Sequence, residues 1–318
     1  MTTMIALVGE QTLPNFLPVL HFKPTNVVFV YTTRTQQTFE YLKVVLEKRK
    51  FNVQGVETDP YDITAITHTL NEELGKLLEL TAQPLVFNLT GGTKTMCLAA
   101  SQVAAQHNAS VIYLQSERGK SVVDHYSWQN NQLCRQQPEQ LPEYLRLCDM
   151  LDLQLGPGKD DTGKNRWEEK GPTIQKDNNS HLFELAIAQV LRDYGCEVMC
   201  GVKGKNDQID IDVMIGYQNQ VGIIEAKTSD DGKIGGLHGI KQLSTAMRYL
   251  RGTYIQQFLV INGKPDDNLQ MMCEILRIPI ICLTSYKRGP SSLTLSQEDS
   301  ETLLSEIDKI MKVRSTKA

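Results

Sequence analysis

The sequence predicts an open, doubly wound α/β sheet in its first half and a smaller mixed α/β domain in its second. Three observations carry this. Short apolar runs rich in β-branched residues alternate with segments of helical periodicity as far as Glu117. A stretch rich in Gly, Pro and charge then interrupts the pattern at 156–180. Beyond it the order becomes helix, strand meander, helix, strand, helix, strand and a closing helix. The 318 residues suffice for two domains of ordinary size.

In the first half, MIALVG (4–9), NVVFVY (26–31), PLVFNLT (84–90) and SVIYLQ (110–115) read as strands. Their continuous apolar character suits a parallel sheet covered on both faces. Between them, Phe39, Leu42, Val45 and Leu46 fall at helical spacing within 35–49. Ile63, Ile66, Leu70, Leu74, Leu77 and Leu78 make one apolar stripe over 62–80, and the Ala-rich 93–108 is a further helix. After Lys120, VVDHYSW and QNNQL read as an edge hairpin with Asn-Asn near its turn.

Residues 141–153 read as a helix starting near Pro142 and ending before Gly156. The following GPGKDDTGKNRWEEKGPTIQKDNNS offers little to bury and reads as a linker or mobile loop. The expected division is a first domain over 1–140, a helix and linker over 141–180, and a second domain over 181–318. SHLFELAIAQVLRDYG (180–195) is a helix stopped by Gly195. CEVMCGV (196–202), IDIDVMIG (209–216) and VGIIEAKT (221–228) form the meander, with a turn at 217–220. A Gly-rich loop leads to a helix at 240–250. Strands FLVIN (258–262) and PIICLT (279–284), with a helix between them, precede the last helix at 298–313.

Composition narrows the function classes. The formal charge is −4, and Lys/Arg and Asp/Glu nearly balance from Ser180 onward, so a nucleic acid would be held by local patches. No apolar run is long enough to span a bilayer. The opening MTTMIALVGE lacks the basic region and long apolar core of a secretory signal. The seven Cys, at 97, 134, 148, 196, 200, 273 and 282, include no paired zinc-site spacing. A cytoplasmic protein with reduced thiols and no membrane partner is expected.

The second half poses a chemical question. Within IIEAKT (223–228), Glu225 and Lys227 share one strand face, opposite charges in an otherwise apolar run. If 209–216 and 221–228 pair as a hairpin, Asp212 meets Glu225 across it. Glu184 lies on the apolar stripe of Ile187, Ala188 and Leu191, where an unpaired carboxylate is costly. Glu184, Asp212 and Glu225 together can ligate a hard divalent cation, with Lys227 orienting water or holding a phosphate. Asp210 shares the face of Asp212 and stays open as an alternative. A structural Glu225–Lys227 ion pair is the competing reading. Lys241, Gln242 and His238 are further candidates, set against a solvated helix end and a loop histidine.

D-x12-E-x-K on a hairpin behind a Glu-bearing helix resembles the PD-(D/E)xK, or restriction-endonuclease-like, nuclease core, over about 180–285. The resemblance implies that Glu184, Asp212, Glu225 and Lys227 are catalytic. It also implies that Asp212, Glu225 and Glu184 bind Mg²⁺ or Mn²⁺ for phosphodiester hydrolysis.

In the first half, NLTGGTKTM (88–96) leaves a strand and enters a helix. Gly91 and Gly92 permit a tight turn, and the helix N-terminus offers free N–H groups to an anion. Lys94 and the hydroxyls of Thr90, Thr93 and Thr95 add donors. The motif is neither a P-loop nor G-x-G-x-x-G, so an NTPase or dinucleotide enzyme is not supported. EQTLPN (10–15) and YTTRT (31–35) should open on the same crevice. A Gly turn with a Thr/Lys helix cap and no ligand is the competing reading.

LVGEQTLPNFLPVL, VVFVYTTRT and FNLTGGTKTM resemble a CARF domain, a Rossmann-like sensor of cyclic oligoadenylates. With the nuclease core behind it, the chain is similar to the cyclic-oligoadenylate-activated ancillary nucleases of type III CRISPR systems. That resemblance implies a homodimer activated by cyclic tetra-adenylate and cutting DNA, RNA or both. Matched to the motif, the ligand contacts are Gln11, Thr12, Asn15, Thr33, Arg34, Thr90, Gly91, Gly92, Thr93 and Lys94. Two alternatives remain: a nucleotide-sensing regulator that binds nucleic acid without cutting, and a sensor that degrades its own ligand.

Overall fold

The computed structural model describes residues 2–80, 84–117, 119–130, 132–171, 179–204, 208–230, 232–250, 252, 254–287 and 293–311. The chain forms two compact units, Met1–Tyr144 with Asp152–Pro157, and Leu145–Leu151 with Gly158–Ala318.

In chain order the first unit contains β1 (Thr3–Leu7), α1 (Leu13–Phe22), β2 (Asn26–Tyr31), α2 (Gln36–Lys48), β3 (Asn52–Glu57) and α3 (Ile63–Leu80). There follow β4 (Leu85–Asn88), α4 (Lys94–Gln106), β5 (Ser110–Glu117), β6 (Lys120–Gln129), β7 (Gln132–Arg135) and β8 (Glu139–Gln140). The sheet order is β3-β2-β1-β4-β5-β6-β7, with β8 beside β6. The strands from β3 to β5 are parallel, and β6, β7 and β8 add antiparallel pairings. The chain order reverses between β1 and β4, the place at which open α/β sheets offer a crevice at the C-terminal ends of their strands.

One face packs Ile5, Leu7, Val28, Val30 and Phe87 against Ile66, Leu70 and Leu74 of α3 and Ala99, Ala100 and Val103 of α4. On the other face, Phe29 meets Phe39 of α2 at 6.3 Å between ring centroids. Helix α1 and strand β3 were not anticipated. Helix α1 contains Pro14 in its first turn and Pro18 inside it. Pro18 has no N–H for the Pro14 carbonyl, which instead accepts a bond from Asn88 Nδ2 at 2.8 Å. Strand β3 buries only Val53, so it lacks the apolar run of its neighbours.

Helix α5 (Leu147–Leu155) starts six residues later than the sequence predicted, and the division between the units falls within it. The expected linker is partly built into the second unit. Its described residues include a bridge between Lys159 and Asn165 and the strand β9 (Trp167–Glu169). Residues 172–178 of that segment lie outside the described ones.

The second unit continues with α6 (Asn179–Asp193), β10 (Glu197–Gly204), β11 (Ile209–Tyr217), β12 (Gln220–Lys227), β13 (Lys233–Ile234) and α7 (His238–Tyr249). Then come β14 (Ile255–Ile261), β15 (Lys264–Pro265), α8 (Asp267–Leu276), β16 (Ile280–Cys282) and α9 (Gln297–Met311). The main sheet runs β16-β14-β12-β11-β10-β9, and β13 pairs with β15 apart from it. The β9–β12 part is antiparallel and the β12–β14–β16 part parallel. Gln218 and Asn219 both hold positive φ, which suits the tight β11–β12 turn. Helices α6 and α9 cover Val213, Ile215, Ile224, Ala226 and Phe258 on one face. Helix α7 packs the opposite face, where a Cβ on Gly239 would lie 3.2 Å from Glu225 Cγ and 3.4 Å from Lys227 Cε.

Candidate functional sites

The second-unit site begins as a fork between two strands. The β11–β12 ladder runs from Tyr217–Gln220 to Val213–Ile224 and stops there. Below the fork, β11 stays paired with β10 through Ile209, while β12 follows β14 through Lys227. Extending the register by one step would oppose Asp212 and Glu225. There the Asp212 side chain takes over as acceptor, its Oδ2 receiving Ala226 N–H at 2.7 Å. The period-two pattern puts Asp212, Glu225 and Lys227 on the face away from the aliphatic core.

Glu225 is 1% exposed. Its Oε1 contacts the Lys227 ammonium as an ion pair, but without hydrogen-bond geometry to any described group. Glu184 approaches from α6, and His181, one turn earlier, contacts its Oε2 at 3.2 Å. Asp210, left open by the sequence, is held by Lys203 at 3.2 Å across the β10–β11 pair. Lys241 and His238 are exposed, whereas Gln242 is half-buried.

The electrostatics show too much negative charge for one lysine. Burial, then the Asp212 charge, raises Glu225 to about 8, against the pull of Lys227. Burial, then Asp212, raises Glu184 to about 7, against the opposing effect of His181. Burial raises Asp212 too, despite Lys227 and the Ala226 N–H. Burial opposes the Lys227 charge, yet Glu225 and Asp212 outweigh it and lift that pKa above the ordinary lysine value. Without a further cation, these acids are pushed to hold protons near neutral pH.

The donor chemistry fits a small, hard divalent cation. Among the described residues, no group of three or more His, Cys, Asp or Glu side chains is disposed to hold a metal ion. Glu184 Oε2 is engaged by His181. Asp212 and Glu225 remain as candidate holders, and an Mg²⁺-like ion commonly takes one or two carboxylates, with water and phosphate completing its shell. The buried Glu225 Oε1 is the specific reason such an ion suits this place.

The first-unit site is a cavity of about 340 Å³ at the switch point of the sheet. It is lined by Val8, Gly9 and Glu10 after β1, Thr32–Thr35 after β2, Pro60 and Tyr61 after β3, and Gly92, Thr93 and Met96 around the start of α4. The loops after β1 and β4 abut: a Cβ on Gly91 would fall 2.1 Å from the Leu7 carbonyl oxygen. Gly92 has a φ of 75°, where a side chain is strained. Thr93 caps α4 by accepting Met96 N–H at 3.1 Å, and Gly92 and Thr93 set the start of that helix in the cavity wall. Arg34 is paired with Glu10 at the same place.

Thr33, Arg34, Gly92 and Thr93 among the expected ligand contacts line this cavity. Gln11, Thr12, Asn15, Thr90, Gly91 and Lys94 do not. Asn15 is fully buried, donates to the Leu7 carbonyl at 2.9 Å and receives a bond from Asn88 at 3.3 Å. Thr12 is buried and accepts a bond from Gln154 at 3.2 Å. The Thr90 hydroxyl donates to Asn88 at 2.6 Å and accepts Leu114 N–H at 2.8 Å. These three shape the loops. Lys94 is exposed at the first position of α4. Sequence reasoning missed Glu10, Pro60, Tyr61 and His181. The only signal for His181 was its i, i+3 spacing from Glu184.

Residues 3–144 match the family model of the Card1 CARF domain. Curated proteins include no match to the chain. Among solved structures it resembles Can2 from Sulfobacillus thermosulfidooxidans, determined in complex with cyclic tetra-adenylate, at TM-score 0.69 and 16% identity. That match covers 96% of this chain and 98% of the other. Protein VC1899 from Vibrio cholerae matches at TM-score 0.68 and 13% identity, over 98% of each chain. A type III CRISPR defence DNA nuclease activated by cyclic oligoadenylate matches at TM-score 0.63 and 16% identity. The match covers 95% of this chain, which spans only 51% of that longer protein. At these identities the likeness is one of fold. No helix among the described residues is long and apolar enough to cross a membrane.

Proposed function

We propose, from the premise that the chain joins a CARF domain to a nuclease-like α/β domain, that it is a cyclic-oligoadenylate-activated, metal-dependent nuclease of cytoplasmic antiviral defence. Cyclic tetra-adenylate is the activator and DNA or RNA the substrate. The observation that carries the nuclease reading is the fork, where Asp212, Glu225 and Lys227 share one face with more acids than one lysine can balance. The sensor reading is supported by the switch-point cavity, whose hydroxyls, Arg34 and helix N-terminus suit an anionic nucleotide. The Can2 complex with cyclic tetra-adenylate supports the choice of ligand. A cyclic tetranucleotide has a two-fold axis, so a homodimer can bind one half with each protomer.

In hydrolysis, water attacks phosphorus, one P–O ester bond breaks, and the departing oxygen takes a proton. Asp212 and Glu225 would hold an Mg²⁺ or Mn²⁺ ion, which when bound lowers the pKa of a coordinated water and neutralises charge on a phosphoryl oxygen. Lys227, kept charged by its acidic neighbours, holds the scissile phosphate and the attacking water. Glu184 acts through water. Its contact with His181 supports a role in accepting the proton that the attacking water loses.

Replacing Glu225 by Gln tests the reading. The variant should keep cyclic tetra-adenylate affinity and lose at least about a hundredfold in cleavage rate, the scale of removing one electrostatic catalytic group. Unchanged cleavage excludes the fork as the active site. A wild-type chain that binds nucleic acid under ligand but never cuts it is a regulator instead.

A further inference from the structure

The loop from β3 to α3 carries a residue the fold does not need. Tyr61 is 71% exposed, lines the cavity, and supplies its aromatic ring; no other residue of the lining is aromatic. We propose that Tyr61 is a stacking platform for a nucleobase of the bound ligand, a role that rests on the sensor reading above.

The backbone that carries this ring is held in a hydrogen-bonded turn. Asp59 Oδ1 accepts the N–H groups of both Tyr61 and Asp62, each at 2.7 Å, which closes the turn. Pro60 fixes the backbone immediately before the ring. The Pro60 carbonyl accepts the hydroxyls of Thr93 and Thr95, each at 2.7 Å. The same Thr93 caps α4 beside Gly92. The backbone bearing the ring and the start of α4 are thereby tied to one another through a single carbonyl oxygen.

A nucleotide offers a charged phosphate and a flat base. The first suits Arg34 and the α4 N-terminus, and the second suits a flat aromatic surface, which the other lining side chains do not provide. Stacking tolerates every base, so Tyr61 sets affinity, and the choice of adenine falls to polar groups.

Calorimetric titration of the full chain with cyclic tetra-adenylate tests this, using wild type, Tyr61→Phe, Tyr61→Trp and Tyr61→Leu. Phe and Trp should bind within about threefold of wild type. Leu should bind about ten- to hundredfold more weakly, the scale of one lost base stack. Because the ring is exposed, Tyr61→Leu should melt as wild type does, so weak binding would not reflect misfolding. Ligand should also quench the new fluorescence of Tyr61→Trp. Wild-type affinity in Tyr61→Leu, or an equal loss in Tyr61→Phe, overturns the stack and leaves the sensor reading intact. Failure of wild type to bind any cyclic oligoadenylate overturns both.

Discussion

Glu225 shows how one side chain carries both cost and use. A carboxylate 1% exposed would ordinarily be excluded from a strand whose neighbours are apolar. Its pKa in the fold, about 8, and that of Glu184, about 7, exceed the ordinary value of 4.5. Between those limits the folded chain binds more protons than the unfolded one, so stability falls as pH rises. Melting in chelator at pH 5, 6.5 and 8 should therefore give a steadily falling midpoint. Mn²⁺ should restore much of it at pH 8, and Glu225→Gln should flatten the profile. A midpoint that rises from pH 5 to 8 contradicts the burial argument.

At the scale of elements, the fork depends on α7 lying close to β12. Gly239 allows this, since a Cβ there would press on Glu225 and Lys227. Gly239→Ala should displace these side chains by a few tenths of an ångström. Cleavage should fall about tenfold while ligand affinity and melting barely move, because misplaced catalytic groups lose rate before stability. An unchanged rate would mean that α7 does not position the site. The fork was legible because strand alternation alone puts Glu225 and Lys227 together, and hairpin pairing adds Asp212. What it could not reveal was that the ladder stops at Val213–Ile224, since that follows from side-chain competition for the Ala226 N–H. Strand β3 was illegible for a similar reason. Its Gly55 leaves room for the Phe39 ring, where a Cβ would lie 2.2 Å away, so the packing is supplied by α2. Helix α1 was hidden by Pro18, whose missing bond is made good by Asn88, a residue distant in sequence. Tyr61 lies in a loop, and no periodicity marks it. The burial of Asn15 was not legible, because an amide beside a ligand loop and an amide buried to shape that loop look alike in sequence.

For the whole molecule, the proposal is a linkage between two sites. Ligand in the first unit can activate the fork only if it binds the active arrangement more tightly than the resting one. Loss of cleavage in Glu225→Gln must then leave ligand affinity intact, and weak binding in Tyr61→Leu must be overcome by more ligand. The most direct test mixes purified chain with supercoiled plasmid and with single-stranded RNA, with and without cyclic tetra-adenylate, in Mn²⁺, Mg²⁺ or chelator. The account predicts cutting of at least one substrate only when ligand and metal are both present. Cutting that ignores the ligand, or none under any combination, would contradict it.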